Sequence, residues 1–289
     1  MAKTRRDHYL PQFYLRHFSQ DPKRVWAFVK ARGCAFHSAI RDVGQKPGYY
    51  KDIRLEPWWE GDTFEESLHK FEDALAVALD NTIDAAQSLP AVPRELKGLV
   101  AVLAAYLNLA HPRTRSTCIE DKTLFWNEAK DRLMARCAPG VDPAGYPVSL
   151  EDGQEAQCHA EFIQERLPLL FGELSRGIWV FYLNKTRHPF YTSDAPVALV
   201  YRPSAPEGHG ARAGIEVVLP LSSRVLLTAL EPDHFSALRP FDLLVLEMDE
   251  AKVALYNELQ GRWATERIFC ESNDFEVAGR PTSDADICA

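Results

Sequence analysis

The order of apolar patterns along the chain predicts an α+β fold. Two short β-rich runs around a glycine turn come first, then a stretch from about 62 to 175 whose apolar residues recur at three- and four-residue steps. From Gly177 the period becomes strand-like, with Pro, Gly, Ser and Asp between short runs. Strands, then helices, then strands argue against an alternating doubly wound sheet. The expectation is an N-terminal β-hairpin, a central helical bundle, and a C-terminal antiparallel sheet with a final packed helix. These form a single α+β domain over residues 1–272, followed by a loose tail at 273–289.

Taken in order, Pro11 is placed to start a short helix carrying Phe13, Tyr14, Leu15 and Phe18 on one face. Val25–Val29 and Cys34–Ile40 read as the two arms of a hairpin turned by Ala31-Arg-Gly33, and Pro47–Tyr50 as a turn into a short strand. Thr63-Phe-Glu-Glu66 has the pattern of a capping box. It opens a helix with Phe64, Leu68, Phe71, Leu75, Leu79 and Ile83 on its apolar side. Residues 94–110 form a helix apolar nearly all round, stopped by Pro112, which places it inside a bundle. Thr117-Cys-Ile-Glu120 is a second capping box, heading a helix with Phe125, Trp126, Ala129, Leu133 and Met134 on its apolar side. A loop at 138–153 precedes a fourth helix, about 154–175, that Pro168 is expected to kink.

In the last third, Ile178–Leu183, Phe190–Thr192, Val197–Tyr201, Ile215–Leu219, Arg224–Thr228 and Leu243–Leu246 read as strands of an antiparallel meander. Asp249 caps a helix running to about Ala264, and Arg267–Cys270 adds an edge strand.

Composition bounds the function without naming it. The 289 residues are 46% hydrophobic and 26% charged, suited to a globular protein that needs no disulfide staple. With 33 Lys and Arg against 41 Asp and Glu, the net charge of −8 argues against bulk electrostatic binding to nucleic acid or anionic membrane. The most apolar run, residues 98–110, falls short of the roughly 18–20 residues a bilayer crossing needs. Met1–His8 has charge but no apolar stretch behind it, so a cytoplasmic location without a membrane partner is expected. Six cysteines without a Cys-x-x-Cys pair read as free thiols, and Cys158-His159 lacks a second ligand pair at zinc spacing. No metal site is expected, and no cofactor is named. Walker, dinucleotide-binding, His-Glu-x-x-His and kinase motifs are absent from the sequence.

One stretch is distinctive: His8-Tyr-Leu-Pro-Gln-Phe-Tyr-Leu-Arg-His-Phe-Ser19. It resembles the opening signature of a bacterial family known as domain of unknown function 4238. Phe71-Glu72, the turn His111-Pro-Arg-Thr-Arg115, Tyr191-Thr-Ser-Asp-Ala-Pro-Val197, Pro220-Leu-Ser222 and Asn257 with Ala264 follow in the family's order. The resemblance spans about residues 7 to 270. It implies a fold and brings no established chemistry.

Candidate site residues each carry two explanations. His8 suits a general base, or a ring bonded to backbone that locks the N-terminal segment. Asp194 breaks a β-rich region before Pro196, where a functional carboxylate or an Asx-type turn would equally use Thr192-Ser193-Asp194. Ser193 lacks a nucleophile elbow and is assigned to substrate binding. Asn257 is a poor helix former inside the last helix, pointing into a pocket or bonded across to the sheet. Arg113 and Arg115 carry forks suited to phosphate or carboxylate, or form a solvated helix end. The acidic residues from Glu65 to Asp84 read mainly as a solvated helix face, with Glu72 the one to examine for burial.

Together these residues suggest a hydrolase cleaving a phosphodiester in a phosphate-bearing or nucleic-acid substrate. His8 and Asp194 would act as the catalytic pair and Arg113, Arg115, Asn257 and Ser193 would bind substrate, in a nuclease-like role in phage defence. The competing expectation is a non-catalytic binding or regulatory module in which the same residues are structural anchors. Nucleic-acid binding without cleavage would need a basic face from Lys3, Arg5, Arg6, Arg113 and Arg115.

Overall fold

The chain begins by pairing with itself across a glycine. In the computed structural model, which describes residues 6–50, 53, 64–150, 152–202 and 214–276, β1 (Arg6–His8) leads into α1 (Gln12–Arg16) through Pro11. The hairpin β2 (Arg24–Val29) and β3 (Cys34–Ala39) turns at Gly33 with φ +61°, and β4 (Gln45–Pro47) returns to pair antiparallel with β1, His8 opposite Gln45. Gly44 makes this return possible. Its φ is +63°, its carbonyl accepts from Tyr9 N and Leu10 N at 3.0 and 3.1 Å, and a Cβ on it would stand 2.8 Å from Leu10 Cβ. The turn expected at 47–50 follows β4. Most of the strand expected after it lies outside the described residues, as does Thr63.

Four helices follow: α2 (Phe64–Ser88), α3 (Arg94–Leu109), α4 (Pro112–Cys137) and α5 (Asp152–Arg176). Pro112 was expected only to end α3, and it also begins α4. A proline fits the first helical position because the N–H it lacks would have no helical partner there. His111 caps the start, its Nδ1 accepting from Arg113 N at 3.1 Å. α4 therefore starts five residues before the Thr117 box. The apolar side expected of α4 is largely open, with Phe125, Trp126 and Leu133 exposed. α5 runs through Pro168 as one helix.

The remaining strands are β5 (Ile178–Asn184), β6 (Thr192–Ser193), β7 (Ala198–Arg202), β8 (Gly214–Pro220), β9 (Val225–Leu230) and β10 (Val245–Met248). Then come α6 (Glu250–Trp263), capped by Asp249 as expected, and β11 (Arg267–Cys270). A five-stranded sheet has the order β10-β5-β9-β8-β7. It is antiparallel except that β10 runs parallel to β5; of the expected meander only β7, β8 and β9 follow in order, since β5 pairs with β9 and β6 leaves for a second sheet. Alternation divides this sheet between two layers. Trp179, Phe181, Leu219 and Leu227 face the large core built with Leu75, Leu79, Leu103 and Tyr106 of α2 and α3. Val218, Leu226 and Met248 join Val253 of α6 in a second cluster.

The N-terminal hairpin does not stand alone. A four-stranded sheet has the order β3-β2-β11-β6, so β11 is internal rather than an edge. A strand this short is not recognisable as central from its own sequence, because its neighbours come from opposite ends of the chain. Asp274 and Phe275, at the start of the segment expected to be loose, bond His188 Nδ1 at 2.9 Å and pack on Phe28 and Tyr191.

Candidate functional site

Thr192, Ser193 and Asp194 lie where this second sheet meets α6 and α1. Thr192 Oγ1 lies 2.8 Å from Tyr14 Oη, which donates to Pro220 O at 2.6 Å, leaving Thr192 as donor to Tyr14. Ser193 Oγ bonds Gln260 Oε1 at 3.0 Å and accepts from Ala195 N at 3.2 Å. Asp194, 3% exposed, accepts three backbone amides: Thr265 N on Oδ1 at 2.8 Å, and Glu266 N and Arg267 N on Oδ2 at 2.7 and 3.3 Å. Burial raises its pKa and the three amides oppose that rise. The carboxylate thus caps the turn from α6 into β11. Three of the carboxylate's roughly four acceptor positions are given to backbone, as in a structural anchor.

Asn257 makes the same kind of connection from α6. Its Oδ1 accepts from Tyr191 N at 2.8 Å and its Nδ2 donates to Pro189 O at 2.9 Å, bonding across to the sheet as one of the two expectations had it. Gln260 Nε2 donates to Pro196 O at 2.8 Å. The two arginines part company. Arg113 is exposed and donates to Thr265 Oγ1 at 3.2 Å, beside the turn that Asp194 caps. It lines a cavity of about 50 Å³ with His111, Pro196 and Trp263, well below the roughly 300–1,000 Å³ of a substrate pocket. Arg115 donates to Tyr49 O at 2.8 Å, stacks on the Tyr49 ring at 4.7 Å and pairs with Glu155 at 3.7 Å. Its side chain is 14% exposed and committed to protein partners.

His8 is placed elsewhere. It lines an open cleft of about 460 Å³ between the N-terminal segment and α2, with Asp7, Gln12, Arg16, Tyr50, His69, Glu72 and Asp73. Asp194 does not line it. The α2 contribution is one helical stripe, Leu68, His69, Glu72, Asp73 and Ala76, at three- and four-residue steps. His8 Nε2 bonds Arg41 O at 3.2 Å; a carbonyl only accepts, so Nε2 carries the proton and Nδ1 is the basic nitrogen. Burial lowers the His8 pKa below its ordinary value, against smaller upward pulls from the Arg41 carbonyl, Asp7 and Asp42.

Glu72 is half-buried, and Tyr106 Oη donates to its Oε1 at 2.9 Å. Burial raises its pKa, partly offset by the Tyr106 bond. The Tyr50 hydroxyl is buried beside Tyr106 and Glu72, and burial first, then the Glu72 charge, raises its pKa. Glu72, the one acid on this helix face singled out for burial, is half-buried where α1 and Tyr50 meet that face, and it still lines the cleft. Arg16 is the one permanent cation among the described lining residues, against Asp7, Glu72 and Asp73. Among the described residues no three His, Cys, Asp or Glu side chains are arranged to hold a metal ion.

A model of the family described as protein of unknown function (DUF4238) matches residues 6–274. The chain belongs to that family. No curated protein and no solved structure matches it. In this DUF4238 protein the motif residues separate into two groups. Tyr14, Thr192, Ser193, Asp194 and Asn257 are bonded to one another's segments. His8, Pro11, Gln12, Phe13 and Glu72 line the cleft. Tyr50 had been named only as part of a turn, and His69 had no assigned role. The His69–Glu72–Asp73 spacing was a visible signal for the α2 stripe, while nothing in the local sequence marked Tyr50. No helix among the described residues is long and apolar enough to cross a membrane.

Proposed function

We propose that this protein is a hydrolase whose acid–base site is the α2 cleft, with His8 as general base and Glu72 as general acid. The observation that supports it is the convergence of the two groups on one cleft of substrate size, burial lowering the His8 pKa and raising that of Glu72 so that each is shifted toward its uncharged form. A His8 pKa below the usual value keeps Nδ1 unprotonated at pH 7. A raised Glu72 pKa increases the fraction carrying a proton to give. In the step this arrangement suits, water attacks the substrate, its proton passes to His8 Nδ1, and Glu72 protonates the departing group. Tyr106 orients Glu72 through its 2.9 Å bond.

The lining favours a neutral or cationic polar substrate, because Asp7, Glu72 and Asp73 outnumber Arg16. A phosphodiester substrate draws no support from this cleft, since Arg113 and Arg115 do not line it. A second reading, binding without turnover, is favoured by the anchoring of Ser193, Asp194 and Asn257.

The test is a calorimetric screen of neutral, cationic and phosphate-bearing small molecules, followed by turnover assays on binders. His8→Gln and Glu72→Gln are expected to remove turnover of a bound substrate while leaving its affinity within about tenfold, with a bell-shaped kcat/KM profile in the wild type. Binding to the cleft with no turnover of any binder leaves the second reading. Phosphodiester cleavage unaffected by either substitution overturns the site.

A further inference from the structure

We propose that the outer half of α4 is a self-association surface, on which a second copy of this chain lays the same helix antiparallel. The first half of α4 is already occupied. Arg115, Cys118 and Lys122 meet Glu155, Cys158 and Glu161 of α5, so the two helices run side by side in the same direction at a steady offset. Further along, Asn127 exchanges two 2.9 Å bonds with the Val148 backbone, and Lys130 Nζ donates to Pro143 O and Tyr146 O at 3.0 and 2.8 Å. These bonds hold the loop before α5 against one side of the helix.

The face that meets α5 at Arg115, Cys118 and Lys122 continues toward the end of α4 as an apolar, open stripe. Phe125, Trp126 and Leu133 are 62%, 48% and 61% exposed, with Ala129 among them, all within about 100° of the helix circumference. Phe125 and Trp126 pack edge-to-face at 5.5 Å and find no deeper partner that buries them. An apolar stripe of this kind on a charged helix marks an association surface rather than ordinary scatter.

Charge selects the occupant. Beside the stripe, the order from N- to C-terminus is Asp121, Glu128, Arg132, Arg136, two acids and then two bases, all exposed, with Glu128 and Arg132 also paired along the helix at 3.5 Å. A second copy reversed about Ala129 sets Asp121 near Arg136 and Glu128 near Arg132, while Phe125 meets Leu133. A copy laid parallel sets acid on acid and base on base. The surface is thus complementary to itself in one orientation, as an isologous two-fold contact requires, and the small Ala129 at the crossing admits close approach of the two helices.

The experiment is sedimentation equilibrium on the full chain from micromolar to several hundred micromolar, at low and high salt. A monomer–dimer equilibrium is expected, with a Kd about tenfold weaker in high salt. Trp126→Glu with Leu133→Glu should leave a monomer whose circular dichroism and melting are those of the wild type. In a chain whose exposed Cys34 and Cys137 are replaced by serine, Asp121→Cys and Arg136→Cys variants, mixed, should crosslink to each other under mild oxidation in preference to self-pairs. A wild type that stays monomeric throughout, a dimer that survives Trp126→Glu with Leu133→Glu, or preferential self-crosslinking of either cysteine variant overturns the proposal.

Discussion

Tyr14 and Thr192, 178 residues apart, share a buried 2.8 Å hydrogen bond, and the Tyr14 hydroxyl donates to Pro220 O at 2.6 Å. This joins α1, the short strand β6 and the end of β8 at one atom. Tyr14→Phe keeps the ring and leaves the Thr192 hydroxyl and the Pro220 carbonyl without their partner, so it should destabilise by about 1–3 kcal/mol. A double-mutant cycle with Thr192→Val, read by urea unfolding, should give a coupling of about 1 kcal/mol. Strictly additive effects would show that the bond contributes nothing.

Asp194 tests the difference between an anchor and a catalyst. Asn keeps one acceptor oxygen but turns an N–H₂ toward backbone donors, so at least one of the three amides loses its partner. Asp194→Asn should cost about 2–3 kcal/mol in urea unfolding, since bonds to a charged acceptor are the stronger kind. Any turnover found should persist in the variant at temperatures where it remains folded. Unchanged stability with lost turnover would restore Asp194 to a catalytic role.

Stability should fall on mild acidification. His159 is fully buried, bonded to Leu109 O at 2.8 Å, and burial lowers its pKa to about 4; burial and Arg113 lower that of His111 to about 4 as well. Both are neutral in the fold, while the unfolded chain protonates near 6.5. The stabilisation is therefore complete above pH 6.5 and is lost as pH falls from 6.5 toward 4, at roughly 2–3 kcal/mol for each buried group. Urea midpoints measured between pH 7.5 and 4.5 should drop accordingly, and His159→Gln should flatten the slope. A flat profile over that range would refute the assignment.

Gly44 and Gly33 form a matched pair. Both have positive φ, near +63° and +61°, but a Cβ at Gly44 meets Leu10 Cβ at 2.8 Å while one at Gly33 meets nothing within 4 Å. Gly33→Ala should cost about 1 kcal/mol from backbone strain alone, and Gly44→Ala several times that. Since Gly44 O holds Tyr9 and Leu10 next to His8, Gly44→Ala should also weaken ligand binding to the cleft. Equal melting shifts for the two variants would contradict the steric account.

Much of the fold was legible because local periodicity is a local property. The hairpin at 24–39, the long helix after residue 64 and the Asp249-capped helix α6 all lie where spacing and caps place them. The start of α4 was misplaced because Pro112 closes one helix and opens the next, and a proline reads equally as either. Its apolar side was legible as a stripe, but period alone says that a stripe exists, not whether a neighbour covers it. The candidate site was half legible: His8 and Glu72 were both singled out, but for different roles.

Sequence by itself determined the order and type of most elements, the family membership, and the chemical character of the candidate residues, since each depends on neighbours within a few positions. Only the tertiary structure decided which strands share a sheet, that β11 is internal, and that Asp194 gives its carboxylate to the turn at 265–267. It likewise decided that His8 and Glu72 face one cleft. Those outcomes depend on which distant segments exclude water from one another. A carboxylate among backbone amides and a carboxylate in a cleft are the same residue type until the chain has folded around them.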